Sequence, residues 1–81
     1  MEEMDRKTNK DKKVERFRKV AVGRTNKIID TLQLLGNCAN KSNYEYTDEE
    51  VKKIFNAIER ELRDTKAKFA EASKKNERFT L

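Results

Sequence analysis

The segment Tyr46-Thr47-Asp48-Glu49-Glu50-Val51 limits the fold more than any other, because it is a helix start written almost in full. The Thr47 hydroxyl is placed to accept from the orphan N–H groups of the next turn. Glu50, three residues on, can reach back to the Thr47 N–H. Tyr46 and Val51 hold the flanking positions of a hydrophobic staple, which sets the angle at which the chain enters the helix. Asp48, Glu49 and Glu50 put three carboxylates in the first turn, where the helix dipole favours them. Gly36 is expected to stop a preceding helix. The pattern predicts an all-α chain, an antiparallel two-helix hairpin.

Both arms of that hairpin carry an apolar stripe. Val14, Phe17, Ala21, Ile28, Leu32 and Leu35 recur at steps of three or four, with Thr25 filling the gap, and predict a helix over about 12–35. Val22 and Ile29 widen its face, and Leu34 is read as part of the same shoulder. Val51, Ile54, Phe55, Ile58, Leu62 and Phe69, with Thr65 between, predict a second helix over 48–75. Residues 1–11 are polar and aperiodic, a frayed arm or a helix start that forms only part of the time, and 76–81 follow the last periodic position, so a flexible arm and tail are expected around a hairpin domain spanning 12–75. Acid-before-base pairs at i,i+4 (Glu15–Lys19, Glu49–Lys53, Glu59–Arg63, Asp64–Lys68 and Glu71–Lys75) contribute about 0.2–0.5 kcal/mol each. They support the helices without deciding the fold.

The connection from Gly36 to Tyr46 is longer than a minimal helical turn. Asn37, Asn40 and Asn43 tolerate left-handed backbone and can satisfy their neighbours' amides. Tyr44 and Tyr46 have two readings: folded back over the end of the apolar seam, or turned toward a partner.

Composition narrows the function classes. The chain has 81 residues, 35% hydrophobic and 43% charged, with no proline and two glycines. A core built from it is a narrow seam, too small for the layered scaffold of most enzyme pockets. Cys38 is the one cysteine and histidine is absent, which excludes an internal disulfide and Cys/His zinc sites within one chain. A lone thiol suits a reducing compartment. No apolar run approaches the ~20 residues that span a bilayer, so a cytoplasmic protein is expected. Neither catalysis, a cofactor, a metal nor a small-molecule substrate is expected. Chains this small need disulfides, metal or association to be stable. That leaves a homodimer, as in a four-helix bundle, or docking on a larger protein partner. Val22, Ile29, Tyr44 and Tyr46 are the candidate partner-binding residues.

Charge is uneven. Residues 1–27 hold ten Lys/Arg against five Asp/Glu, residues 28–50 one against five, and residues 51–81 nine against five. A hairpin would therefore have a basic open end and an acidic loop end. Arg16, Arg18, Lys19, Arg24, Lys27, Arg60, Arg63 and Lys66 are the candidates for nucleic-acid contact there. The competing reading is a solvated helix surface, and no helix-turn-helix spacing, zinc finger or basic leucine-zipper pattern is present. Gly23 costs a helix ~1 kcal/mol relative to alanine. Close approach of another helix would explain it, and Arg24 beside the seam would serve an ion pair. Cys38 has no base beside it, and the Asp48–Glu50 cluster is accounted for by capping.

The segments Phe17-Arg18-Lys19-Val20-Ala21, Arg24-Thr25-Asn26-Lys27-Ile28, Leu34-Leu35-Gly36-Asn37 and Asn43-Tyr44-Glu45-Tyr46-Thr47, with Val51, Ile54-Phe55 and Ile58-Glu59, resemble short helical proteins encoded on plasmids, conjugative elements and prophages of Gram-positive bacteria. The resemblance covers about residues 14–69 and brings no functional residues with it. It implies a binding task on a mobile genetic element: an accessory factor, a regulator, or an anti-CRISPR-like inhibitor of a host defence nuclease. The expectation is a non-enzymatic module that acts by protein–protein binding, with a nucleic-acid-binding accessory protein as the alternative.

Overall fold

The computed structural model describes residues 8–76, with side chains as far as Lys74. Residues 1–7 of the expected arm 1–11, residues 77–81 of the expected tail 76–81, and the Lys75 side chain of the Glu71–Lys75 pair lie outside the described residues. The chain is all-α. Helix α1 spans Asn9–Asn37 and helix α2 spans Asp48–Asn76, the element order of a helical hairpin. The chain divides between Tyr44 and Glu45 into two units, each built around one helix.

In the first unit, α1 begins earlier than Lys12 because Thr8 caps it. The Asp11 N–H donates to Thr8 Oγ1 at 3.1 Å, and the Thr8 N–H donates to the Asp11 carboxylate at 3.5 Å. The Lys12 N–H closes the first turn on the Thr8 carbonyl at 3.0 Å. This is a capping box with aspartate in place of the usual glutamate or glutamine. It recruits residues 9–11, assigned to a polar arm by their lack of apolar period, into the helix.

Gly36 does not end α1. The helix runs through it to Asn37, and Cys38 caps it in right-handed backbone at φ −71°. No described residue has positive φ, so the conformational freedom of Gly36 goes unused. Instead the last turn tightens: the N–H groups of Cys38, Ala39 and Asn40 donate three residues back, to Leu35, Gly36 and Asn37, at 3.0, 3.1 and 3.3 Å. Asn40 then organises the loop without left-handed backbone. Its side-chain oxygen accepts from the Ser42 N–H at 2.9 Å, an Asx turn. Its carbonyl accepts from the Asn43 and Tyr44 N–H groups at 3.1 and 3.0 Å.

In the second unit, α2 starts as its sequence dictates. The Thr47 N–H donates to Glu50 Oε1 at 2.9 Å, and the Glu50 N–H donates to Thr47 Oγ1 at 3.1 Å. Tyr46 and Val51, the staple positions, are both half-buried.

Candidate functional site

Neither helix, taken by itself, hides its apolar side. No described residue is buried. Ala21, Leu35, Tyr46, Val51 and Ile58 are half-buried and every other described side chain is exposed. Phe17, Ile28, Leu62 and Phe69, on the helix stripes, are 56–61% exposed. Large contiguous apolar patches are rare on monomeric soluble proteins.

The two rows differ in kind. On α2, Val51, Phe55, Ile58, Leu62, Thr65, Phe69 and Ala72 alternate steps of four and three without interruption. That is the seven-residue repeat of a coiled-coil seam, a signal present in the sequence and missed when the positions were read only as a helix stripe. Thr65 fits this row because its hydroxyl donates to the Glu61 carbonyl at 2.8 Å, so no polar hydrogen is left over for an apolar neighbour. On α1 the row Val14, Phe17, Ala21, Thr25, Ile28, Leu32, Leu35 contains two successive steps of four at Ala21–Thr25. Such an inserted step unwinds a coiled-coil repeat locally.

At 3.6 residues per turn, the remaining α1 positions sort onto distinct sides. Val22 and Ile29, 59% and 46% exposed, lie together on one shoulder of the apolar row, beside Arg18. Leu34 does not join them: it falls about 120–140° away around the helix. Arg24 borders the other edge of the row. Gly23 is not in the row at all. It lies on the opposite side, and a Cβ placed there would meet nothing within 4 Å. Within the first unit no described atom demands a glycine there.

Gly23 is surrounded on that side by cations. Lys12, Arg16, Lys19, Gly23 and Lys27 follow at steps of four, three, four and four, so they form one exposed stripe. It ends at Asp30 and Leu34, and Val20 and Glu15 flank it. Arg16, Lys19 and Lys27 of the candidate basic residues are thus brought together with Lys12, which sequence reasoning had not singled out. Arg18 and Arg24 are not part of it. Arg60, Arg63 and Lys66 of α2 step by three, which spreads them over about 120° of that helix, and acids at Glu59, Glu61 and Asp64 lie among them.

Comparison with protein-family models, curated proteins and solved structures finds no match to the chain. Its surfaces therefore carry the functional argument.

Around the loop, Tyr44 is 51% exposed and Tyr46 is half-buried at the staple position. Cys38 is an exposed free thiol. Glu50 is committed to the Thr47 cap. Among the described residues no three Cys, Asp or Glu side chains gather to hold a metal ion. Among the described residues no helix is long and apolar enough to cross a membrane.

Proposed function

We propose that this chain is a non-enzymatic helical interaction module that works by protein–protein binding, with a second copy of itself as first partner. The observation that carries the reading is the set of open apolar rows on both helices, with no buried residue described on either. Burying a large aliphatic or aromatic side chain contributes about 1.5–3 kcal/mol, and each row, taken on its own helix, gains that contribution only against another helix. The uninterrupted seven-residue repeat on α2 favours a helical partner, because knobs-into-holes packing requires a facing helix with the same spacing. Val22, Ile29 and Tyr44 extend the contact beyond the seams, and Tyr46 sets the entry of α2. The resemblance to proteins of mobile genetic elements supports a task there, and inhibition of a host defence nuclease is one form that such binding takes.

Light scattering on the full chain tests the reading. A mass of at least twice 9.6 kDa that falls to the monomer value in Leu62→Asp is the expected result. A fully helical monomer at every accessible concentration, indifferent to Leu62→Asp, would overturn it.

A further inference from the structure

The stripe on α1 sets like charges beside one another: Lys12 and Arg16 are four apart and Arg16 and Lys19 three apart. Glu15 stands on its edge as the acid at pairing distance from Lys12 and Lys19. A glycine, poor for any helix, sits in the same stripe where no neighbour requires it. Features unfavourable to the isolated element that converge on one side point to something outside the chain that uses that side. The stripe also lies across the helix from the apolar row, so it stays free when that row is covered by protein.

We propose that Lys12, Arg16, Lys19 and Lys27 dock α1 along the phosphate backbone of a nucleic-acid duplex, with Gly23 as the point of nearest approach. Four cations over a rise of about 22 Å follow a polyanion rather than a single phosphate. Three of the four are lysines, compact point charges that suit phosphate oxygens, whereas bidentate reading of a guanine edge is the work of arginine. The contact is therefore independent of sequence. No aromatic residue stands in the stripe, so the stacking platform that holds single strands is missing. A lipid surface would take up the apolar row and leave this stripe facing water on the far side. The site lies on a different face from the protein-binding rows.

The test is binding of the full chain to a fluorescent mixed-sequence DNA duplex at about 50 and 200 mM salt. With four phosphates neutralised, the slope of log K against log salt is about −3.6, a loss on the order of a hundredfold over that range. Lys19→Gln/Lys27→Gln should bring the slope to about half and weaken binding at least tenfold at the lower salt. Arg60→Gln/Arg63→Gln changes net charge equally and should leave affinity within about twofold. Gly23→Gln should raise helicity by circular dichroism and still weaken the duplex several-fold, which a purely structural role for the glycine would not produce. Absence of duplex binding at the lower salt, equal loss in the α2 control, or preference for a single strand overturns the proposal. So does stripe-dependent sedimentation with phosphatidylserine/phosphatidylcholine vesicles in the absence of duplex binding.

Discussion

The two helices have the same length, 29 residues each, and opposite organisation. Helix α2 has a tight capping box, three acids in its first turn, an unbroken seam, and acids interspersed with bases over the rest of its surface. Helix α1 has a looser box, whose aspartate reaches the cap N–H at 3.5 Å where the glutamate of α2 reaches it at 2.9 Å. Its seam has an inserted step, a glycine sits mid-helix, and one side is lined with like charges. Aligned local preferences mark an element shaped chiefly by folding and association, and local conflicts mark one shaped by something else. The contrast therefore locates a candidate ligand surface on α1 and a candidate assembly surface on α2.

The largest effect expected from breaking this contrast is at the α2 seam. Leu62→Asp puts a carboxylate in the middle of the repeat and should abolish association together with most of the ellipticity. Val22→Asp, on a shoulder of α1, should weaken association by a smaller factor, and light scattering with circular dichroism ranks the two. An equal effect at both positions would dissolve the distinction between seam and shoulder.

Next come the backbone and the caps. Gly23→Ala should stabilise the chain by about 1 kcal/mol, seen as a rise in Tm, since nothing stands within 4 Å of the added methyl. A loss instead would show that a partner helix covers that side. Thr47→Ala should cost about 1 kcal/mol. Thr8→Ala should cost less, because its partner acid closes the box at the longer distance, and urea titration of the two variants compares them directly.

The smallest effect is electrostatic. Arg16→Glu replaces a like-charge neighbour of Lys12 and Lys19 by an opposite one and should stabilise α1 by about 0.3–0.5 kcal/mol at low salt, fading as salt screens it. The same substitution should weaken duplex binding. Gain in helicity with loss of binding is the signature of a surface kept for its ligand.

Much of this chain was legible because its signals are short-range. The Thr47–Glu50 box is a contact between residues three apart, and it formed as read. The apolar rows depend only on helical period, so both helices were placed to within a turn. The start of α1 was missed because Asp11 is an uncommon partner in a capping box, and because polar residues carry no apolar period even when they are helical. The end was misread because glycine permits a left-handed stop without requiring one, and here i→i−3 hydrogen bonds supply the ending. Among the candidate basic positions, only Arg16, Lys19 and Lys27 fall on one side of a helix. Counting charge along the chain does not separate sides of a helix, and turning the residues by 3.6 per turn does.

The sequence by itself determined that there are two helices, where α2 begins, and which positions on each are apolar, since all of these follow from interactions within four residues. Only the structure decided that α1 reaches back to Thr8, that Gly36 lies inside the helix, and that Gly23 has open space where its side chain would be. Those outcomes depend on which of several permitted backbone paths closes the most hydrogen bonds, and on what stands beside a given atom. Neither is written in residue type or spacing.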